Sequence, residues 1–398
     1  MTTKLVLLGE YVKVVGGYAF KSEDFTDKGI PVIRISDVQD GTVCIDKAVR
    51  IPKTHVGKGE NYCIKPGDIL IAMSGATTGK IGVVPNNFDG LILQNQRVGN
   101  FRITDPEQID KGYLKHFVSS PSYQNQIWNS MVGVAQPNIS SKQLENFEIA
   151  LPPLEEQRWI AEILDHAEEL RSKRREAIAQ LDTLTQAIFL EMFGDPVTNP
   201  KGWPLIYFKD LLSMPLRNGL SPSNAGKVTS KVLTLSAITG NAFDENAWKT
   251  STFQSVPPIT QRVDQSDFLI CRGNGNIQLV GKGYFPTRQM PEVTFPDTMI
   301  AARILPELIE RHFLQHIWNS SAVRRQLETL ARTTNGTFKV NQTMLEGIVF
   351  VIPPLRLQSE FANRVEAVEK LKTAHRASLS ELDALFASLQ HRAFRGEL

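Results

Sequence analysis

The chain has 398 residues, with 44 Lys plus Arg against 42 Asp plus Glu and a formal net charge of +2. That length holds two to three domains with cores of their own, and the 41% hydrophobic and 22% charged content is that of a soluble globular protein. No apolar run approaches the roughly 20 residues of a membrane span, and the N-terminus lacks a signal-peptide core and cleavage site. Cys44, Cys63 and Cys271 are odd in number and far apart. They exclude a disulfide framework and any CxxC metal site, and fit thiols in a reducing cytoplasm.

Residues 1–150 form a first globular unit. Short apolar-alternating runs at Val32–Ile35, Asp68–Met73, Ile81–Val84 and Leu91–Leu93 are set between Gly, Pro, Asn and Asp turns and read as strands. Tyr113–Asn129 reads as a helix. Residues 151–196 are a long helix and its linker: after Pro152-Pro153, the stretch from Glu155 to Phe193 contains neither proline nor glycine. Gly194-Asp195-Pro196 and Asn199-Pro200-Lys201-Gly202 end it. Residues 197–350 are a second globular unit with a helix predicted over Glu310–Leu330. Residues 351–398 are a second long helix.

The chain repeats itself at an offset of about half its length. Pro152-Pro153 matches Pro353-Pro354, Gln157 matches Gln358, Leu181-Asp182 matches Leu382-Asp383 and Phe193 matches Phe394. Val32–Ser36 pairs more weakly with Val232–Ser236, Gly67–Ile71 with Ser266–Ile270, and Tyr113–Phe117 with Phe313–Ile317. A period this long marks a duplicated domain, since solenoid units repeat every 20–50 residues or so. The class is α+β, or mostly β with peripheral helices.

In the first long helix apolar residues recur at Ile163, Ala167, Leu170, Ala177, Leu181, Leu184 and Ile188; the second gives Val368, Leu371, Leu382, Leu385 and Leu389. With Arg174 as a polar interruption in the first and His375 and Ser378 in the same frame of the second, these steps of three and four are a heptad seam, and helices of roughly 58 Å need a partner for it. Each is the other's cheapest partner. Residues 151–196 carry 5 basic and 10 acidic groups and residues 351–398 carry 7 and 6, which favours that pairing. A parallel pair would make the second globular unit span the rod. The expectation is an antiparallel coiled coil with the units at its ends.

Residues 197–350 hold 16 basic and 11 acidic groups, and residues 1–150 hold 16 and 15. A polyanion is therefore drawn to the second unit, while in the first it depends on local clustering. Polar loops follow equivalent strands in the two units: Ser74, Thr77, Thr78 and Lys80 in one, Arg272, Asn274 and Asn276 in the other. Gln94, Gln96, Arg97, Arg217, Asn218, Lys282, Asn335, Thr337 and Lys339 add the same chemistry. Asn and Gln suit adenine, Arg and Lys suit guanine, and glycine lets the backbone approach. These are the candidate DNA contacts.

Catalytic motifs are missing. Gly75 and Gly79-Lys80 are separated by three residues and followed by Ile81, where a Walker A loop needs four and then Ser or Thr. The histidines and cysteines show no metal-ligand spacing, and no nucleophile–base set or framed acid pair is found. Asp68 and Asp267, matched across the repeat, read as turn-ordering residues, and His116 and His316 as a shared packing pair.

In this layout the chain resembles the specificity subunits of type I restriction-modification systems, over nearly its whole length. The resemblance rests on the repeated Leu151–Gln157 and Ile352–Gln358 segments, on Gly-Asp-Ile-Leu-Ile at 67–71, and on Ala-Phe-Arg-Gly-Glu-Leu at 393–398. It implies two target-recognition domains, each reading half of a split double-stranded DNA site, with the helices as a ruler. It implies docking of two modification subunits that carry S-adenosylmethionine and methylate adenine, and of restriction subunits using ATP and Mg. This chain would bind no cofactor or metal and would be non-catalytic. A protein-binding coiled-coil scaffold without DNA contact is the competing expectation, and a hydrolase or transferase acting alone is a third.

Overall fold

The structure is a computed structural model that describes residues 4–131, 137–223, 225–334 and 336–398; for Lys58 and Thr334 it describes the backbone alone. The chain folds as two compact units, Met1–Glu176 with Arg376–Leu398, and Ala177–His375. The long helices, Leu154–Phe193 of 40 residues and Leu355–Ala393 of 39, are thus each shared between the units.

Each unit is built on the same strand plan. In the first, one sheet runs in the order Val12–Gly16, Val98–Ile103, Ile69–Ala72, Ile81–Val83, then Gly41–Val43 and Val38–Gln39. In the second the matching order is Arg217–Asn218, Met299–Arg303, Asp267–Cys271, Gly283–Tyr284. Strands Ile69–Ala72 and Asp267–Cys271 are buried at every residue, so the run expected over Asp68–Met73 is buried continuously from Ile69 to Met73 and lacks the alternation expected of it. A second sheet pairs Ile30–Ile33 parallel to Ile92–Gln94 in one unit and Val228–Leu233 parallel to Met290–Thr294 in the other. A two-stranded ribbon closes each globular part: Lys4–Leu7 with Glu148–Leu151, and Leu205–Tyr207 with Val349–Val351.

The helices expected over Tyr113–Asn129 and Glu310–Leu330 are each two helices. Lys111–Val118 is followed by Pro121–Ser130, and Arg311–Trp318 by Ser321–Leu330. Pro121 disfavours a helical conformation at Ser120, whose hydroxyl instead accepts from the Tyr123 amide and caps the next helix. In the second unit the Asn319 side chain donates to the carbonyls of Gln315 and Gly283, ending the helix at the same place.

The repeated Pro-Pro-x-x-x-Gln segments now have a physical reason. Pro153 precedes the first helical residue, and its carbonyl accepts from the Gln157 amide. Gln157 is fully buried; its side chain accepts from the Asp110 amide at 2.9 Å and donates to the carbonyls of Gln108 and Pro152 at 2.8 Å each. Gln358 repeats this with the Glu310 amide and the Leu308 and Pro353 carbonyls. A buried amide with all its bonds made is a rigid joint, and it ties each long helix to the helix pair of its own globular part.

Within each unit the long-helix segments run antiparallel. In the first, Arg171 meets Asp383 while Phe394 lies in the core with Ile160, Leu164 and Tyr113. In the second, Asp182 meets Lys372 and Glu191 meets Arg364, while Phe189 and Phe193 pack on Phe361 and Phe313. The matched Phe193 and Phe394 are therefore equivalent anchors that seat each helix end in a core.

Of the twelve residues expected in the seam, eight are buried or half-buried and four are exposed. Ala167 and Val368 are buried, and Ile163, Ala177, Leu181, Ile188, Leu382 and Leu389 are half-buried. Leu170, Leu184, Leu371 and Leu385, however, are 42%, 41%, 52% and 51% exposed. The inward places one residue later are filled by Arg171, Thr185, Lys372 and Phe386. Hydrophobicity alone picks the leucines, but Arg and Lys bury their aliphatic stems and keep only their heads in water.

His116 and His316 both pack against a ring of a long helix, Phe386 and Phe189, but His116 also bonds Asp165 at 2.8 Å. His316 stacks on Phe189 at 4.5 Å, and burial pushes its pKa down to about 4 from the usual 6.5. Unfolded chains take up the proton first, so the native state of the second unit loses stability as pH falls from 6.5 towards 4, by roughly 3 kcal/mol in total. Urea midpoints measured at pH 7 and pH 5 should differ less for His316→Phe than for the wild type; equal differences would assign the slope elsewhere.

Candidate nucleic-acid interface

Three segments meet at one edge of each unit. In the first, the amide of Met73 donates to the Arg97 carbonyl at 2.9 Å and the amide of Ile139 to the Met73 carbonyl at 2.9 Å. In the second, the amide of Arg272 donates to the Thr298 carbonyl at 2.8 Å and that of Val340 to the Arg272 carbonyl at 2.9 Å. The loop after the buried strand, the turn before the last strand and the segment before a short helix are laced together identically, although their side chains differ.

In the first unit this gathers Ser74, Thr77, Thr78, Lys80, Gln96 and Arg97. Ser74 bridges to Asn138, and the Thr78 hydroxyl donates to the Gly75 carbonyl at 2.7 Å and the Pro137 carbonyl at 3.2 Å. The Thr77 hydroxyl is buried. Lys80 sits 3.3 Å from the exposed carboxylate of Asp40, and Gln96 and Arg97 are exposed. Gln94 is not a surface donor. It is fully buried, and its amide donates to the carbonyls of Val15 at 2.7 Å and Val98 at 2.6 Å, stitching two strands.

In the second unit the Gly273–Asn274 strand pairs with Thr337–Lys339, which pairs with Arg332–Thr334, making a three-stranded sheet. Thr337 is half-buried and Lys339 exposed on it; Asn274 accepts from the Asn276 amide, and Asn276, exposed, accepts from the Gln278 amide. Arg272 is half-buried and donates to the Asp297 carbonyl at 3.2 Å. Asn335 lies outside the described residues.

Arg332 and Thr333, both exposed, belong to this surface and were not expected. The signal was present: Asn-Gly between Arg332-Thr333-Thr334 and Thr337-Phe338-Lys339 is a two-residue hairpin. Arg332 lies directly opposite Lys339 in the ladder. Among the described residues no carboxylate forms an ion pair with either. Like charges placed opposite each other cost a few tenths of a kcal/mol up to about 1, a cost that an anion between them removes.

Three candidates are tied into the fold by hydrogen bonds to or from neighbouring segments. Arg217 is 16% exposed, with its guanidinium 2.5 Å from the fully buried Asp267 and bonded to the Thr260 carbonyl. Asn218 beside it is exposed, its carbonyl taken by Gln261. Lys282 donates to the carbonyls of Thr239 and Gly240 at 3.3 and 3.0 Å. Asp267 is not a turn residue either: it binds Arg217 and, at 2.9 Å, Arg303, while Asp264 orders the turn by accepting from the Ser266 amide. Its bond holds the Arg303 guanidinium more firmly charged than usual. Asp68 does order its turn, accepting from the Lys65 amide at 3.0 Å, and also binds Asn100 at 2.8 Å.

Residues 2–180 match the family model described as the Type I restriction modification DNA specificity domain. Over 97% of this chain and 87% of the relative, the sequence is 27% identical to the type I restriction enzyme EcoKI specificity subunit of Escherichia coli (strain K12). It is 26% identical, over the same shares, to the StySPI specificity subunit of Salmonella potsdam. The fold is similar to a type I restriction-modification S subunit from M. genitalium, with a TM-score of 0.59 at 14% identity, covering 99% of this chain and 96% of that one. A chain described under complex assembly and conformational transition of the type I R-M system is similar at a TM-score of 0.59 and 20% identity, covering 99% and 98%. Residues 2–180 thus match a type I restriction modification DNA specificity domain, and over nearly its whole length the chain is similar to type I restriction enzyme specificity subunits.

Proposed function

We propose that each globular part reads one half of a split site in double-stranded DNA, and that the long helices set the gap between the halves. The observation that carries this is the identical lacing of three polar segments in both units, on sheets that share a common strand order while the presented side chains differ. Two equal frames with unequal tips are what two different half-sites require. Arg332 and Lys339 face phosphate, and Asn274, Asn276, Gln96 and Arg97 are placed to reach base edges.

The chain is the non-catalytic component. Two modification subunits, carrying S-adenosylmethionine, dock on the long helices, and restriction subunits with ATP and Mg join them, in the cytoplasm. The exposed leucines left off the seam support this count. Leu170 and Leu385 belong to the first unit, their repeat equivalents Leu371 and Leu184 to the second, so each unit offers one equal apolar pair.

Binding by the chain with its modification partner to duplexes selected from a random pool, at several salt concentrations, tests the reading. Arg332→Ala and Lys339→Ala should each weaken binding evenly across sequences and lower the salt slope by about 1. Selection of no duplex by the wild-type complex refutes DNA reading; an unchanged slope refutes the phosphate role.

A further inference from the structure

We propose that Tyr18 in the first unit and Leu220 in the second each contact the methyl group of a thymine, so that each half-site holds one thymine read by an apolar side chain. The proposal rests on the DNA reading above and adds two specificity-determining residues to it.

A fourth segment belongs to the laced edge of each unit. In the first, the Tyr18 amide donates to the Gln94 carbonyl and the Tyr18 carbonyl accepts from the Gln96 amide, both at 2.9 Å. In the second, the Leu220 amide donates to the Phe295 carbonyl at 3.0 Å and the Leu220 carbonyl accepts from the Asp297 amide at 3.2 Å. The turn at 95–97, or at 296–298, is therefore held from two sides. This segment holds it on one, and the amide of Met73 or Arg272 holds it on the other. A glycine precedes the residue in both units because nothing larger fits. A Cβ on Gly17 would stand 2.2 Å from the Gln94 carbonyl oxygen, and one on Gly219 would stand 2.1 Å from that of Pro296.

The side chains presented there are apolar in both units, and no core claims them. Tyr18 and Leu220 are half-buried, yet among the described residues neither joins any of the five buried apolar clusters. The Tyr18 ring rests instead on two other half-buried rings, edge-on to Phe20 at 5.0 Å and tilted to Tyr62 at 5.8 Å, which stiffen it. An apolar side chain left out of the core could fall anywhere on a surface. Here it falls twice at one place in the repeat, beside the same turn. In the first unit that turn exposes Gln96 and Arg97; in the second it exposes Thr298, whose carbonyl is bonded by Arg272. Polar side chains of these kinds bond base edges in the major groove, and the thymine methyl is the apolar group that a base pair offers there. An apolar residue packed beside them meets that methyl.

The complex with the modification partner is tested on the duplex it selects, each thymine of both half-sites being replaced in turn by deoxyuridine, which lacks only the methyl. Loss of one buried methyl should weaken wild-type binding about fourfold at a thymine in each half-site. Tyr18→Ala should abolish that effect at one thymine of one half-site and leave the other half-site unchanged. Leu220→Ala should do the reverse, and Tyr18→Phe, which keeps the ring, should match wild type. Neither alanine variant removes a core residue, and each reports on its own half, so one that fails to fold leaves the other decisive. A purely structural residue would weaken binding to every duplex alike and leave the deoxyuridine effects in place. That result overturns the proposal, as does a half-site in which no thymine responds. A wild-type complex that selects no split site overturns the DNA reading and the proposal with it.

Discussion

Asp267→Ala should destabilise the second unit by about 3–5 kcal/mol, the expected effect of removing one partner from a buried ion cluster. Asp267 is fully buried between Arg217 at 2.5 Å and Arg303 at 2.9 Å. Without it the Arg217 guanidinium, 16% exposed on its side chain, is left beside the strand with one carbonyl partner, from Thr260. Arg303 keeps Asp264 at 2.9 Å and is stranded less. Asp68→Ala at the equivalent place should cost much less, because its partners are a neutral Asn100 amide and the Lys65 backbone. Urea denaturation of the two variants checks this. Equal losses would mean that the ion cluster adds nothing beyond the turn.

Inserting one heptad after Glu176 and another after His375 should lengthen the preferred gap while leaving the bases read at each half-site unchanged. Those two points are where the chain passes between its compact units, so every contact inside each unit is kept. Seven residues add about 10.5 Å of helix, an increase of at most about 3 base pairs. An insertion in one helix alone, between Ala177 and Leu184, breaks the pairing of Asp182 with Lys372. It should therefore lower affinity at all gaps and define no new one. Selection from a centre-randomised duplex pool reads gap and bases together. An unchanged gap in the doubly inserted chain would show that the helices are not the ruler.

Much of the architecture is legible in the sequence because it is local or repeated. A breaker-free stretch of four turns of heptads or more is a helix whatever surrounds it, and a duplication shows as matched residues without any structure. Phe193 with Phe394, and Gln157 with Gln358, were visible as identities, though not as a core anchor and a buried joint. The side of the long helices that faces inward was misjudged at Leu170, Leu184, Leu371 and Leu385. Gln94 and Arg217 carried the right chemistry for DNA and were spent inside the fold.

By itself the sequence determined the duplicated plan, the two long helices, the missing catalytic chemistry and the polar loops after matched strands. All of these follow from residue type and spacing along the chain. The tertiary structure alone decided that Arg171 and Lys372 sit inward with Asp383 and Asp182, that Asp267 holds two arginines, and that Arg332 stands opposite Lys339. Each is a contact between residues distant along the chain or set by strand register. A charge reads as surface until a partner far away in sequence is brought beside it, and only folding does that.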